Sequence, residues 1–552
     1  MEKRLLIAIV LSFLVLVLYQ VIFVKKPPQT EVTPQKVAET TQKTDQKLAA
    51  RESAEAPKPA EGLQVSGEKK ASEPVAAQAE EQISVDTSLY QALWSNKGGV
   101  LKSWKLKKYK NDKKEELEVI SSSSQQINIY PLCLLTEDPE FDRVVNNTLY
   151  KCESSNLVLR NAQKGEIRFD YADEKGTRIE KIFIFEDGKY DFEVTTSVWK
   201  DGKIIEPRVL WGPGIGNPSL VEQKQRMVGT SGIAVLVANK VFRLNERKFR
   251  PEQSSFNFVD WAAFEDNYFA ALFLTTPQKG LAALLKQDKE GFSYFYMSTS
   301  MPHRIYIGPK EIDTLNKLGS GSKKLINFGF FGWIAEILLR TMKFIHKGIP
   351  NWGLAIIIMT LIIKIIFFPL TYSSTKSMAK MQELQPKIKA LRAKYKKVKQ
   401  DIGQRREMNE EMMKLYKEHG INPAGGCLPI LIQLPFFWGF FRVLVVGIEF
   451  RKSPFALWIK DLSVKDPYYV TPILMGVTQF IQQKMTPTSA DPTQAKMMLI
   501  MPVIFTVFFM NFQSGLVLYW LTNNVLQIGQ QAIINNMMKK KKRESDGKRR
   551  KK

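Results

Sequence analysis

The sequence predicts a membrane protein in two parts, an antiparallel β domain followed by an α-helical bundle that spans a membrane. Two observations lead to this fold class. Strand-like runs fill residues 83–320, whereas long apolar runs are concentrated after residue 350. The 552 residues contain only three cysteines and three histidines. This composition excludes a disulfide scaffold and argues against a histidine-based metal centre.

The N-terminus predicts a helical membrane anchor over residues 1–24. Twenty residues without charge, 5–24, follow Lys3 and Arg4. A basic, proline-containing stretch comes next instead of a small-residue cleavage site, so we interpret the segment as an uncleaved anchor rather than a signal peptide. Residues 25–82 are rich in Pro, Glu, Lys, Ala, Gln and Ser and lack aromatic residues, which predicts a disordered linker.

Residues 83–320 predict a large antiparallel β-sandwich. Residues 179–185 and 190–194 are rich in β-branched and aromatic side chains and flank a turn at Asp187-Gly188, which indicates a hairpin. Cys133 and Cys152 both lie in this region. Their spacing leaves open whether they pair or remain two free thiols.

Residues 321–350 predict an amphipathic helix at the membrane interface. Glu336, Arg340, Lys343 and Lys347 recur at spacings of four, three and four, which gives one charged stripe with apolar and aromatic side chains opposite. The alternative is a helix that packs on protein.

The following region, 351–534, predicts the membrane core. Several of its apolar runs are close to the lower length limit for crossing about 30 Å of hydrocarbon. Together with the anchor they make six spans. The five core spans are predicted at about residues 352–370, 428–446, 468–481, 497–512 and 515–534.

The distribution of charge predicts the orientation of these spans. Of the net charge of +25, residues 371–425 carry +7 (13 Lys and Arg against 6 acids) and residues 535–552 carry +8 (10 against 2). The positive-inside rule places both segments in the cytoplasm. Alternation of six spans then places the N-terminus inside and the β domain outside. The positive charge therefore indicates the orientation of the spans in the membrane rather than DNA binding.

Within the first basic segment, residues 374–420 predict a helical hairpin. Apolar residues recur at heptad spacing from Met381 to Val398 and from Met408 to His419, and Pro386 should kink or restart the first helix. Its outer faces are either solvated surface or a docking site for acidic tails, anionic lipid or ribosomal RNA. The basic candidates for recruitment are Lys387, Lys389, Arg392, Lys394, Lys396, Lys397, Arg405 and Arg406.

Lys364 is the most informative charge because it lies inside a predicted span. A charge at mid-bilayer costs about 2.5–3.5 kcal/mol on insertion scales. Lys364 therefore either snorkels to the interface or faces a wet cavity with Thr360, one turn away, and with Gln433 and Asn524 from other spans. Arg442 lies nearer the outer end of its span, where outward snorkelling is the preferred interpretation.

The sequence lacks the motifs of the common enzyme classes. No P-loop, H-E-x-x-H, C-x-x-C or G-x-S-x-G pattern occurs, and no nucleophile and base can be nominated. We therefore expect no enzymatic activity, no cofactor and no metal site.

Several sequence motifs stand out in the membrane core. They are residues 367–391 (FFPLTYSSTKSMAKMQELQPKIKAL), 422–429 (NPAGGCLP), 431–435 (LIQLP), 501–506 (MPVIFT) and 514–520 (SGLVLYW). These motifs are similar to those of the YidC family of bacterial membrane protein insertases. The anchor, linker and large outer domain resemble the Gram-negative form of this family, so the resemblance extends over nearly the whole chain.

This resemblance implies a five-helix core with a positively charged groove, open to the cytoplasm and lipid and closed toward the periplasm. Lys364 stands where the family usually has arginine, which keeps the charge but loses the bidentate fork. The groove-lining positions fall on Thr360, Gln433, Tyr519 and Trp520. The outer domain would be a periplasmic β-supersandwich.

The implied function is insertion and folding of nascent inner-membrane proteins, alone or with the Sec translocon, with ribosome and lipid contacts through the hairpin and tail. A solute transporter with a midplane basic site is the alternative, although no inverted repeat is evident. A carbohydrate enzyme in the outer domain is a third possibility. His303, Asp260, Glu265 and Asp266 are available for it but form no recognisable constellation.

Overall fold

The computed structural model describes residues 74–550. The exceptions are residues 154–155, 217–231, 246–248, 252–253, 278, 290–291, 396–401, 421–427 and 486–491. The predicted anchor, 1–24, and the predicted linker as far as residue 73 lie outside the described residues.

The N-terminal part of the described chain is built from twenty strands and three short helices. The helices are α1 (Ser123–Ile127), α2 (Pro139–Asn147) and α3 (Ile312–Lys317). The strands are β1 (Gln82–Asp86), β2 (Tyr90–Ser95), β3 (Val100–Lys110), β4 (Glu116–Glu118), β5 (Leu134–Leu135), β6 (Lys151–Cys152), β7 (Leu157–Val158), β8 (Lys164–Ala172), β9 (Arg178–Glu186), β10 (Asp191–Lys200), β11 (Lys203–Ile205), β12 (Arg208–Trp211), β13 (Gly232–Val237), β14 (Lys240–Asn245), β15 (Ser255–Asn257), β16 (Val259–Glu265), β17 (Phe269–Leu274), β18 (Leu281–Lys289), β19 (Phe292–Ser300) and β20 (Arg304–Pro309).

These strands form three sheets. The largest has ten strands, in the order β14-β13-β16-β17-β20-β10-β9-β8-β6, with β11 paired to β10. Two five-stranded sheets have the orders β4-β3-β2-β1-β7 and β15-β18-β19-β12-β5. Apart from the parallel pair of β1 and β7, all described pairings are antiparallel. The predicted hairpin is β9 and β10, which pair antiparallel through a turn where Gly188 has a φ of 84°.

Both smaller sheets pack on one face of the large sheet. Phe192 pairs with Ile305, and Ile305 pairs with Phe273, so their side chains share a face because directly opposite residues point the same way. On this face Trp211 of one small sheet lies 6.0 Å from the Phe273 ring. Trp104 of the other lies 5.6 Å from the Phe192 ring. The antiparallel sandwich fold is therefore confirmed, as three sheets in two layers.

The predicted linker extends too far toward the C-terminus. Val75 and Ala172 exchange both backbone hydrogen bonds at 2.9 Å, and β1 begins at Gln82. The chain is therefore attached to the β domain seven residues before the predicted boundary at 82. This polar segment buries little apolar surface, and its backbone is ordered instead by hydrogen bonds to a strand of the β domain.

One lysine lies in the sandwich core and has no acidic partner among the described residues. Lys181 of β9 is fully buried, and its ammonium donates a hydrogen bond to the carbonyl of Gly98 at 2.6 Å. Burial lowers its pKa to about 8. The structure records no disulfide between Cys133 and Cys152 of this domain.

Helices make up the rest of the chain. A 3₁₀ turn over Ser322–Leu325 leads into them. They are α4 (Gly332–Gly348), α5 (Trp352–Ile366), α6 (Phe368–Glu383), α7 (Gln385–Lys394), α8 (Ile402–Glu418), α9 (Leu428–Val446), α10 (Val470–Met485), α11 (Pro492–Phe509) and α12 (Ser514–Arg550).

The first predicted core span is bent. Helix α5 ends at Ile366 and α6 begins at Phe368, at an angle of 60°. Among the described helices, none has by itself both the length and the hydropathy of a complete span, but α5 and α6 meet that test together. A second break follows at Leu384, and α7 begins there with Pro386 in its first turn, which is the predicted restart.

Side chains of a neighbouring helix or loop pack directly on the backbone at two glycines of the bundle. A Cβ atom on Gly476 of α10 would lie 1.9 Å from the Thr506 hydroxyl of α11. A Cβ atom on Gly353 of α5 would lie 2.0 Å from the ring of Phe455 in the loop after α9. Small residues at such contacts are typical of membrane helix packing.

A cluster of charged side chains joins the β domain, α4 and the bundle. The ammonium of Lys343 on α4 lies 3.3 Å from Glu311 and 2.8 Å from Asp313, both beside or in α3. The same ammonium lies 3.0 Å from Glu449, just after α9. Burial alone would lower the pKa of Lys343, but the three carboxylates hold it above its ordinary value. We call these four residues the Lys343 cluster.

Two further contacts fix the same junction. The Arg442 guanidinium of α9 donates a hydrogen bond to the backbone carbonyl of Asn327, in the segment that precedes α4. Lys452, in the loop after α9, lies 3.0 Å from Asp112, between β3 and β4. Arg442 therefore points toward the β-domain side of the bundle, in the direction that the sequence analysis expects.

Helix α4 leaves a row of apolar side chains exposed. They are Phe330, just before the helix, and Trp333, Ile337 and Phe344 on it. The opposite side of the helix packs on α9, where a Cβ atom on Gly439 would lie 3.0 Å from Ile334. The position of α4 at a membrane interface stays a prediction.

Candidate functional site

Lys364 lies on the buried side of α5, with 8% of its surface exposed. Its ammonium donates a hydrogen bond to the side-chain carbonyl of Gln527 on α12 at 2.6 Å. Among the residues that the structure describes, Lys364 forms no ion pair. Thr360, one turn earlier, is also buried, but its hydroxyl donates to the carbonyl of Ile356 in its own helix at 2.7 Å.

Gln527 is a site residue that the sequence analysis missed. It belongs to a polar row on α12 with Asn524 and Gln530, at spacings of three, which brings the three side chains to one side of the helix. Asn524 donates from its amide to the carbonyl of Met475 at 3.2 Å and so joins α12 to α10. The spacing of these amides in an apolar helix is the signal that could have found Gln527.

Gln530 has no hydrogen-bond partner among the described residues. Its side chain is 7% exposed, and both its amide nitrogen and its amide oxygen are buried. Gln433, the remaining predicted polar position, lies half-buried on α9. The structure thus brings Gln527 of α12 to Lys364 of α5, whereas Asn524 joins α12 to α10.

An aromatic cluster lies beside this polar row. The ring of Tyr519 stacks on Phe440 of α9, with centroids 4.3 Å apart and planes at 18°. Trp520 lies 5.0 Å from Phe437 of α9 and 5.0 Å from Phe509 of α11. Both predicted aromatic site residues therefore pack between helices.

The polar and aromatic groups are separated along α12. Tyr519 and Gln527 are eight residues apart, which is about 12 Å at the helical rise. Helix α12 begins at Ser514, whose hydroxyl bonds the loop carbonyl of Val464. The aromatic cluster is therefore nearer the loop between α9 and α10, which contains Glu449 of the Lys343 cluster, and Lys364 lies farther from that loop.

Buried hydroxyl groups continue the polar face beyond Lys364. Thr371, Ser374 and Thr375 of α6 are all buried. The Thr371 hydroxyl donates to the carbonyl of Phe367 at 3.0 Å. Buried hydroxyls at these positions extend the polar side of the bundle toward the helical hairpin.

The hairpin helices are held by a small apolar core. Leu384 and Ile388 are buried against Met381, Met412 and Leu415. This contact pattern matches the heptad positions in the sequence.

The basic candidates of the hairpin differ in their surroundings. Lys387 lies 3.1 Å from His419, Lys394 pairs with Glu411 at 2.8 Å, and Arg406 pairs with Glu410 at 3.2 Å. Lys389 is exposed. Lys396 and Lys397 lie outside the described residues, as do the side chains of Arg392 and Arg405.

The chain matches two protein-family models in sequence. Residues 82–341 match the model described as the YidC periplasmic domain, and residues 344–542 match the model described as 60Kd inner membrane protein. These matches cover the β domain with α4 and the helical bundle in turn. The class is thus an inner-membrane protein with a periplasmic domain of the YidC type.

Curated relatives match this chain in sequence over nearly its whole length. The chain is 39% identical to the membrane protein insertase YidC of Syntrophus aciditrophicus, over 97% of this chain and 99% of the relative. It is 38% identical to that of Geotalea daltonii over the same shares. A crystal structure of an active YidC insertase with the first transmembrane domain resolved matches 83% of this chain and 94% of its own, at 20% identity and a TM-score of 0.34. The chain belongs to the YidC family of membrane protein insertases, which insert proteins into the membrane.

Proposed function

We propose that this chain inserts and helps to fold nascent membrane proteins, without an enzymatic step, through a groove whose working charge is Lys364. An acidic N-terminal tail of the substrate enters between α5 and α12 from the cytoplasm. The ammonium of Lys364 attracts the carboxylates, and the apolar segment of the substrate moves into the lipid beside the groove.

The burial of Lys364 opposite a neutral amide carries this proposal. A buried lysine that is paired with a carboxylate has no net charge to offer, whereas the described partner of Lys364 is the neutral amide of Gln527. Holding such a charge within a membrane span costs about 2.5–3.5 kcal/mol, a cost that a substrate carboxylate offsets.

The aromatic cluster makes the two ends of the groove different. Stacked rings of Tyr519 and Phe440 exclude water from the half of the bundle nearer the Lys343 cluster, which supports closure toward the periplasm. The apolar side chains exposed on α9 and α11 supply a surface along which a hydrophobic segment can slide. They include Ile432, Leu434, Val503 and Val507.

No nucleotide is required by this mechanism. Transfer of an apolar segment from water releases about 25 cal/mol per Å². The membrane potential adds about 2.3 kcal/mol per charge per 100 mV for outward movement of an acidic tail.

The proposal includes a topology and partners. The N- and C-termini are cytoplasmic and the chain crosses the membrane several times, with the hairpin and the end of α12 on the cytoplasmic side. Exposed Lys389, together with the basic end of α12, suits contact with the ribosome and anionic lipid. The insertase works alone or with the Sec translocon.

Insertion into proteoliposomes tests the role of Lys364. The substrate is a single-span protein with an acidic tail, compared with the same substrate whose tail carboxylates are replaced by amides. We expect Lys364→Ala and Lys364→Glu to reduce insertion of the acidic-tailed substrate selectively and Lys364→Arg to retain it. Lys484→Ala is the matched control, because this lysine is exposed at the end of α10. Unchanged insertion by both Lys364 variants would show that the groove charge has no role.

A further inference from the structure

We infer that Gln527 is the positioning residue for Lys364, and that Gln530 takes over the carbonyl of Gln527 when Lys364 turns to a substrate carboxylate. This inference rests on the proposed function of Lys364. It assigns to α12 an exchange of hydrogen bonds that keeps the ammonium in place without neutralising it.

The side-chain partner of Lys364 differs in chemical type from that of the other buried lysine. The other buried lysine of the described chain that contacts a side-chain acceptor is Lys310, which lies 2.7 Å from Glu265. Lys343, which is half-buried, lies near three acids. Lys364 alone in this comparison contacts an amide. An amide carbonyl fixes the direction of the ammonium but leaves its charge available, which a carboxylate would not.

The buried amide of Gln530 has no hydrogen-bond partner among the described residues. A buried amide without hydrogen bonds costs about 1–3 kcal/mol, so its retention in an apolar helix needs a reason. Gln530 follows Gln527 by three residues, and side chains at this spacing are neighbours, with about 5–6 Å between their Cβ atoms. Its amide nitrogen can therefore reach the carbonyl of Gln527 once that carbonyl is released.

The exchange leaves both Lys364 and Gln527 with a hydrogen-bond partner. In the free protein the Lys364 ammonium donates to Gln527, and Gln530 is without a partner in the described chain. With an acidic tail bound, the ammonium donates to the tail carboxylate and the Gln530 amide donates to Gln527. The release of Lys364 thus leaves the carbonyl of half-buried Gln527 paired, which lowers the free-energy cost of passing the ammonium to the substrate.

The test alters the partner while Lys364 stays in place. Gln527→Glu puts a carboxylate beside the ammonium and neutralises it. We expect insertion of the acidic-tailed substrate to fall about tenfold, while the amide-tailed substrate inserts within about twofold of the unaltered protein. Gln527→Met keeps the length of the side chain without an acceptor and should cause a smaller, still selective loss. Gln530→Leu should also lower insertion of the acidic-tailed substrate alone.

The exchanged pair Lys364→Gln/Gln527→Lys should recover selectivity for the acidic tail, because the charge returns to the same place. Thermal unfolding of each variant in detergent verifies that it is folded. Equal loss for both substrates, or no loss with Gln527→Glu, would overturn the positioning role. If Lys364→Gln alone leaves acidic-tail insertion intact, the proposed function of Lys364 has failed rather than its dependence on Gln527.

Discussion

Replacement of Lys343 by methionine should destabilise the junction between the periplasmic domain and the bundle by about 3–5 kcal/mol. The side chain of Glu449 is only 9% exposed, so without Lys343 its carboxylate is a buried charge without a counter-ion. Glu311 and Asp313 are more exposed, at 34% and 55%, and each contributes at most about 1 kcal/mol. Most of the loss should therefore come from Glu449.

The pH dependence of this loss identifies its cause. Burial raises the pKa of Glu449 even with Lys343 present, and removal of the ammonium raises it further. A carboxyl group whose folded-state pKa is raised favours the folded state when it is protonated, and that stability is lost as pH rises through the raised pKa. The pKa of Lys343 is raised, so its own contribution stays complete at every pH below its unfolded value. The variant should therefore be closer to the unaltered protein at pH 5 than at pH 8.

Thermal unfolding in detergent, followed by tryptophan fluorescence, measures the effect. The double variant Lys343→Met/Glu449→Gln is the control, because it removes both charges and should recover most of the lost stability. A loss that is the same at pH 5 and pH 8, or that the second substitution fails to reduce, would refute the assignment to an unpaired Glu449.

Three further predictions concern stability and use the same measurement. Lys181→Met should be neutral or stabilising, and it should abolish a gain in stability between pH about 8 and 10.5, where the unfolded chain binds a proton that the buried lysine does not. Asp466→Ala should lower the free energy of unfolding by about 3 kcal/mol, because this carboxylate accepts hydrogen bonds from Trp458, Tyr468 and Thr471. Burial would raise the pKa of Asp466, but these donors lower it, so its contribution should be present above pH 3.8 and lost as pH falls through the folded-state value. Gly353→Ala should cost about 1–3 kcal/mol through its clash with Phe455, whereas Gly348→Ala, where the new Cβ meets nothing within 4 Å, should change stability by less than about 0.5 kcal/mol.

Local patterns in the sequence predict the features that depend on neighbouring residues. The hairpin of β9 and β10 follows from an Asp-Gly turn between apolar runs, and the restart at Pro386 follows from a missing amide hydrogen. Lys364 is evident because a charge interrupts an apolar run. The β-supersandwich, in contrast, is implied by resemblance alone, because the packing of two small sheets on one large sheet depends on pairings far apart in sequence.

Gln527 was missed for a related reason. It is a neutral residue in a helix that contains several amides, and its partner lies 163 positions away. The attachment of Val75 to Ala172 was missed because a polar segment gains its order from a strand that forms elsewhere in the chain. Partnerships across such separations depend on the tertiary structure rather than on composition.

The unbroken course of α12 has a mechanical consequence. At the helical rise its 37 residues extend about 55 Å, from the loop that bonds Ser514 to the basic residues at its end. A helix without a break acts as a lever, so that a rotation at one end turns every side chain along its length. A rotation of α12 would therefore move Gln527 and Tyr519 together, and with them the polar and the aromatic contacts that they make to neighbouring helices.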